Sequence, residues 1–398
     1  MRTLNLTEFQ PQAAVALSAQ TAASLQALGC GVTITPTWNT PGHFDLQPGS
    51  HVGVIALPDL VVQIRPKLPV DRVLFLIFYA LDPSRWQREQ GLYGAADTLV
   101  EAMAAVFAYD LHGALRQGVL QGYHPTYDAL STVRGRVRLD EQLRRRYGAP
   151  MPLEVVFDEY SVDTDLNRLL TAALHRLSRL PIRSVKVRHA LRACAAAFEA
   201  VPLVEYRSSS LPDLAWNHLN DRFRRAADMA RMILGRSSVE LTEGPVRGAA
   251  FTIDMNAVFE SFARAALREA LGLSLTTFPD RPPAFTLDAA RNVRLVPDLT
   301  WWHGQRCLFV GDVKYKRITF DGFRHADLYQ LLAYTVALGL RDGVLVYPAG
   351  EGAGGTYDID GAGIRLHLRS LDVRGSPEEV LHGVRALADD VRTLATRA

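Results

Sequence analysis

Cysteine is scarce in these 398 residues: Cys30, Cys194 and Cys307 lie far apart in the chain. They form neither a metal-ligand spacing nor a disulfide framework, and they fit free, buried thiols in a reducing cytoplasm. Long apolar runs are missing too. The longest, Val73–Leu81, falls far short of the ~20 residues that span a bilayer. The N-terminus has no basic region followed by a long apolar core, so no signal peptide and no membrane segment is expected. The eleven histidines show no HxxxH or Cys-His grouping. No glycine-rich loop carries the Lys and Ser/Thr of a phosphate cradle, and no serine sits in a nucleophile elbow. The chain therefore carries no visible nucleotide-hydrolysing engine. Charge imbalance is absent as well. The net charge is +2, so any contact with nucleic acid must come from local basic surface.

What is present is an ordinary globular composition, 48% hydrophobic and 22% charged. This length predicts two or three domains, each with its own core. The pattern suggests an α+β multidomain chain: a small α+β or β module over 1–90, a helical middle region over 91–243, and a last domain over 244–398. In the first, Gln12–Leu28 reads as an Ala-rich helix with Pro11 at its first turn. Gly31–Trp38, His51–Pro58 and Leu60–Pro66 read as strands, followed by helix from Leu74. Arg65 and Lys67, beside prolines, suit a phosphate backbone, an acidic partner or a solvated edge.

The most informative stretch is Val296–Lys316, VPDLTWWHGQRCLFVGDVKYK. Two β-rich runs, Arg294–Trp302 and Arg306–Tyr315, flank the short turn His303-Gly304-Gln305. Side chains alternate along a strand, so Asp312 and Lys314 share a face. Asp298 joins them if it lies on the neighbouring strand. Two carboxylates and an amine then converge, the set that phosphodiester hydrolysis uses to hold Mg²⁺ and to place the attacking water. Cys307–Val310 is an apolar run suited to a strand buried on both faces.

Two helices flank this stretch. Phe251–Leu271 shows helical apolar spacing, with Asp254 or Asn256 as its cap. Glu260 beside the stripe either supplies a third carboxylate or pairs with Arg264 one turn on, a contact worth a few tenths of a kcal/mol. In Ala326–Gly339, Asp327, Gln330 and Tyr334 fall within about 60° of one another at 100° per residue. Leu328, Leu332 and Val336 cover the opposite side. The polar strip faces either the site or solvent.

In the middle region, Arg134, Arg136, Arg138, Arg144, Arg145 and Arg146 put six arginines within thirteen positions. Such a block makes a strong local field for DNA or a partner, or a solvated face. Within Phe157–Leu177, Asp158, Glu159, Asp163 and Asp165 precede an apolar-periodic helix and favour a helix N-terminus over a second metal site. Further helices are expected at Val187–Ala200, Trp216–Leu234 and Pro377–Thr396, and strands at Gly343–Pro348 and Ile364–Val373.

Pro297-Asp298 followed fourteen positions later by Asp312-Val313-Lys314 resembles the PD-(D/E)xK nuclease motif. The Gln330-x-x-x-Tyr334 pair is similar to that of the RecB-type branch. More widely, Ile64–Pro69 (IRPKLP), Arg134–Leu143 (RGRVRLDEQL), Phe157–Leu170, Phe251–Phe262 and the two blocks around Asp312 and Gln330 occur in an order that resembles the McrC family. These are nuclease subunits of McrBC-type, modification-dependent (type IV) restriction systems. The resemblance covers about residues 60–340, while the first sixty residues match only loosely. It implies a restriction-endonuclease-like αβββαβ nuclease domain at the C-terminus and a partner-docking stalk in the middle. It also implies an McrB-like hexameric AAA+ GTPase partner, methylcytosine-containing DNA as substrate, and Mg²⁺ or Mn²⁺ as cofactor. By carry-over, Asp298, Asp312 and Lys314 are catalytic. Asp298, Asp312, the Val313 carbonyl and Glu260 are metal ligands, and Gln330 and Tyr334 are supports near the DNA backbone. Two rivals remain: a non-catalytic adaptor that activates the motor, and a stand-alone RecB-like nuclease.

Overall fold

The computed structural model describes residues 2–83, 98–206, 210–235, 240–241, 248–315, 323–349 and 355–397. The chain forms two compact units, one built from Met1–Ala102 with Val239–Ala398 and the other from Met103–Ser238. The three segments expected over 1–90, 91–243 and 244–398 thus map onto two units, the first and last sharing one.

In chain order the shared unit begins β1 (Arg2–Thr7), β2 (Gln12–Ala16), α1 (Ala19–Ala27), β3 (Val32–Pro36), β4 (His43–Pro48), β5 (His51–Ala56), β6 (Leu60–Arg65) and α2 (Val70–Leu81). Gln12–Ala16 is a strand rather than the start of a helix. It pairs with β4, and the helix begins only after Ser18, whose hydroxyl caps the Thr21 N–H. The alanines permit either state, and a distant partner strand decides between them. β6 is apolar and almost wholly buried, as a central strand should be, with β1 parallel on one side and β5 antiparallel on the other.

The second unit contains most of α3 (Leu99–Leu115), then β7 (Gly122–Leu130), β8 (Arg136–Val137), α4 (Leu139–Arg145), β9 (Leu153–Ser161), α5 (Asp165–Ser178), α6 (Val185–Ala197) and α7 (Arg224–Gly235). The middle region expected to be helical holds these helices and, in addition, a three-stranded sheet of β7, β9 and β8. The acidic run at 158–159 belongs to β9, and Thr164 caps the helix that follows. The proposed helix from Trp216 is confined to α7 and a 3₁₀ turn at Asp221–Phe223.

The shared unit resumes with β10 (Glu240–Leu241), β11 (Gly248–Asp254), α8 (Met255–Leu271), β12 (Phe285–Thr286), β13 (Arg294–Leu295), β14 (Leu299–His303), β15 (Arg306–Val313), α9 (Phe323–Ala337), β16 (Asp342–Pro348), β17 (Gly355–Ile359), β18 (Ile364–Leu371) and α10 (Pro377–Ala395). β11 inserts beside β5, closing a sheet of order β1-β6-β5-β11-β10. Phe251–Asp254 is therefore strand, and α8 starts at Met255 with Asp254 as its cap. Gly53 is required where these strands meet: its φ is +146° and a Cβ would lie 2.0 Å from the Phe251 carbonyl oxygen. The other large sheet has the order β14-β15-β16-β18-β17, with β15, β16 and β18 parallel and both edges antiparallel. β16 is buried throughout, and α9 covers it through Leu331 against Leu345, Tyr347 and Leu366. α8 packs on α2 and α10. Its Phe259 and Phe262 are fully buried, each contributing about 1.5–3 kcal/mol of transfer free energy. No helix among the described residues is long and apolar enough to cross a membrane. The boundary expected between 243 and 244 lies outside the described residues.

Candidate active site

The β14–β15 hairpin closes through Gly304 and Gln305, between the paired His303 and Arg306, and Gly304 has φ +60°. Leu299 faces Gly311 in the ladder. One step further this antiparallel register sets Asp298 opposite Asp312. Like charges facing each other across two strands are unfavourable, so the site retains a pairing that stability alone disfavours. The two carboxyls come within hydrogen-bonding reach. The Val313 N–H also donates to Asp298 Oδ2 at 2.8 Å.

Lys314 lies just past β15, on the same side as Asp312. Its Nζ is 2.6 Å from Asp312 Oδ2, and its N–H is held by the Val346 carbonyl at 2.9 Å. Asp312 is 1% exposed. Burial, and then the charge of Asp312, push Asp298 up to about 7. Burial also raises Asp312 against the lowering influence of Lys314. Burial of the Lys314 amine opposes its charge, but the neighbouring Asp312 outweighs this and its pKa rises.

The approach to Asp298 is held from two helices. From α8, Arg264 donates Nε to the Asp298 carbonyl at 2.9 Å and Nη2 to Glu260. From α9, the Tyr334 hydroxyl donates to the Val296 carbonyl at 3.0 Å and accepts from Gln330 Nε2 at 2.6 Å. Burial, then the Asp312 charge, push this phenol up to about 12, so it stays neutral. The buried side of α9 carries Asp327, Leu331, Tyr334 and Thr335, while Val336 is exposed. Of the two orientations open to the polar strip, Asp327 and Tyr334 take the inward one, Gln330 stays exposed at its edge, and Leu328 and Leu332 pack partly buried beside Leu331. Inward burial of these two is possible because each meets a partner: Tyr334 meets Val296, and Asp327 accepts the Tyr347 hydroxyl at 3.1 Å.

Asp298, Asp312 and Lys314 are thus brought together, Val313 contributes its backbone, and Gln330 and Tyr334 buttress the approach. Glu260 is tied to Arg264, one link away from Asp298. Among the described residues no group of three or more His, Cys, Asp or Glu side chains is placed to hold a metal. The pair does fit a hard divalent cation: once Asp298 gives up its proton, two carboxylates pressed together hold more negative charge than one amine offsets. Two contributors escaped the sequence reading of the site. Asp327, 4% exposed, acts electrostatically on both Asp312 and Lys314, and its place in the polar strip was the signal for it. Arg264 was visible only as a helical pair with Glu260, because its bond to a backbone carbonyl leaves no trace in sequence.

The six arginines lie in the second unit. Arg134 stacks 3.9 Å over Phe157, and Arg138 lies 4.7 Å over Tyr127 and 3.7 Å from Glu141. Arg144 and Arg145 are each 2.7 Å from Glu141, Arg146 is 2.9 Å from buried Glu154, and Arg136 is exposed. Glu141 and Glu154 offset part of the local positive field.

Fold and site together define a mixed α/β protein organised around a buried acid–acid–amine cluster. The family of McrBC 5-methylcytosine restriction system components matches residues 46–348, and the chain belongs to that family. It is similar to a chain in the refined half-complex from a tetradecameric assembly of Thermococcus gammatolerans McrB AAA+ hexamers with bound McrC. That match has 17% identity and a TM-score of 0.59, covering 98% of this chain and 100% of the other, and it shows the fold. A chain of the Thermococcus gammatolerans McrBC complex, solved by cryo-EM, matches at 18% identity and a TM-score of 0.41 over 68% of this chain and 88% of that one. No curated protein matches.

Proposed function

We propose that this chain is the Mg²⁺-dependent DNA endonuclease subunit of a McrBC-type restriction complex. It cuts methylcytosine-containing DNA in the cytoplasm together with an McrB-like AAA+ GTPase hexamer, whose hydrolysis it stimulates. The observation that carries this reading is the meeting of Asp298, Asp312 and Lys314 at one buried point of a PD-(D/E)xK-type hairpin in a member of the McrBC family. The β14–β15 hairpin followed by α9 and β16, with α8 beside them, is the part of an αβββαβ nuclease domain that carries its chemistry. The stalk role falls to the region around 91–243, and the partner follows from the family and from the McrB hexamers in the similar assembly.

Asp298, Asp312 and the Val313 carbonyl would hold Mg²⁺ or Mn²⁺, with Glu260 joining once it leaves Arg264. The bound cation supplies Lewis acidity toward the scissile phosphate. The residues do the rest. Lys314 orients a water for in-line attack on phosphorus and offsets the charge that grows on the phosphoryl oxygens as the P–O3′ bond breaks. Asp312 keeps that amine protonated and in place. Arg264 and Tyr334 hold the Val296–Asp298 backbone so that Asp298 keeps its register. In a dry site these charges act strongly, since little water screens them.

The test is Asp312→Ala in the full chain, reconstituted with its motor. Metal-dependent cleavage should vanish while complex formation and GTPase stimulation persist. Cleavage at the wild-type rate would remove this cluster from the mechanism.

A further inference from the structure

Tyr315, the residue after Lys314, is enclosed by a part of the chain more than 240 positions away. It is 1% exposed. Its hydroxyl donates to Glu8 Oε1 at 3.0 Å, and the same oxygen accepts the Lys67 N–H at 2.6 Å. The Lys67 ammonium stands 4.4 Å from the Tyr315 ring centroid and 5.3 Å from that of Phe9, a placement that the ring quadrupole favours. Phe9 and, from α8, Phe259 close the sides, with ring centroids 6.4 and 5.7 Å from that of Tyr315.

The arrangement follows from topology. β1 and β6 are parallel with Thr7 opposite Arg65, so the residues leaving their ends, Glu8 and Lys67, emerge side by side. Glu8, 1% exposed, donates its own N–H to the Arg65 carbonyl at 3.0 Å. Phe9 has φ +58°, a backbone conformation that aromatic residues rarely adopt. Such strain persists only where the surroundings over-determine it, and here it turns the chain against Tyr315. Consecutive side chains point to opposite sides of an extended segment. Fixing Tyr315 on one side therefore fixes Lys314 on the other, with the Val346 carbonyl pinning the Lys314 N–H.

We propose that Glu8, Phe9 and Lys67 form a cradle for Tyr315 that sets the position of Lys314, so that the N-terminal sheet belongs to the support of the nuclease site. Tyr315 and Glu8 are positioning residues, acting through Lys314. The activity arm of the test rests on the endonuclease reading above, and the exchange arm does not.

Tyr315→Phe, Glu8→Ala and Glu8→Gln are made in the full chain. Each is assayed with the motor for kcat and KM on methylated DNA, and alone for melting temperature and amide hydrogen exchange. Tyr315→Phe and Glu8→Ala should lower kcat about tenfold or more, the scale expected when a reacting group is misplaced. KM should stay within about twofold, and exchange should quicken only around Asp312–Tyr315. Glu8→Gln keeps the accepting oxygen and should stay close to wild type. Unchanged turnover and exchange in Tyr315→Phe would overturn the cradle, as would faster exchange spread evenly over the unit. If the wild-type chain with its motor cuts nothing, the endonuclease reading fails and exchange alone decides: localised loss keeps the cradle, unchanged protection removes it.

Discussion

Arg264 reaches the Asp298 carbonyl with Nε at 2.9 Å while the same guanidinium holds Glu260. A side chain on α8 thereby fixes the backbone of a residue on the hairpin. Arg264 is 9% exposed. Its removal leaves a partly buried carbonyl and a partly buried carboxylate without this donor. Arg264→Ala should destabilise the shared unit by about 1–3 kcal/mol, measured by urea unfolding. Cleavage should fall further than the stability loss explains. Glu260→Gln should be milder in stability, since the amide oxygen can still accept.

The raised pKa of Asp298 has a signed consequence. In the folded chain this group holds its proton up to about 7, whereas its ordinary value is 3.8. Between those values the folded state binds more protons than the unfolded one, so metal-free stability falls as pH rises through that window. Asp298→Asn removes the effect. In chelator, the variant should melt above wild type near neutral pH and match it in acid. Divalent-cation binding should strengthen as pH rises through the same window with release of a proton. Calorimetry in buffers of different ionisation enthalpy reads that proton directly.

Asp327 offers a finer test of electrostatics. It accepts from Tyr347 at 3.1 Å and helps hold the Lys314 amine charged. Asp327→Asn should reduce turnover, though less than Asp312→Ala, because Asp312 still contacts the amine at 2.6 Å. Tyr347→Phe should cost about 1 kcal/mol from the lost hydrogen bond. Equal turnover in wild type and Asp327→Asn would detach Asp327 from the site.

Two glycines should separate strain from space. Gly304→Ala meets no neighbour but keeps φ +60°, so a loss of about 1 kcal/mol is expected. Gly53→Ala meets the Phe251 carbonyl oxygen at 2.0 Å as well as a positive φ. Its loss should be roughly 3 kcal/mol, because the β5–β11 pairing must shift. Thermal melts of the two variants give the ordering, and the reverse order would contradict the close approach.

The arginine block divides by burial of its partners. Arg144 and Arg145 are exposed and share Glu141, while Arg146 pairs with buried Glu154. Arg144→Glu with Arg145→Glu should weaken DNA or motor binding with little change in melting temperature, and wild-type binding should show the steeper salt dependence. Arg146→Glu should lower the melting temperature instead. If the double variant binds DNA and motor as wild type does, those two arginines are only solvated surface.

Local pattern was enough for the features that local chemistry controls. The strand–turn–strand around Gly304, the capping of α8 by Asp254, and the shared face of Asp312 and Lys314 all follow from alternation and cap chemistry within a few residues. The α9 strip at Asp327, Gln330 and Tyr334 was legible too, though not which way it faced. Tertiary structure decided the rest, because it depended on partners distant in the chain. Gln12–Ala16 became a strand once β4 lay beside it, and Phe251–Asp254 once β5 did. The second unit acquired a sheet by pairing β9 with β7 and β8. The composition of Pro297-Asp298 and Asp312-Val313-Lys314 specified two acids and an amine. Their burial, the anchoring of the backbone by Arg264 and Tyr334, and the enclosure of Tyr315 by Glu8 and Lys67 came only from folding, since a hydrogen bond to a remote carbonyl or carboxylate imposes no periodicity on the residues that make it.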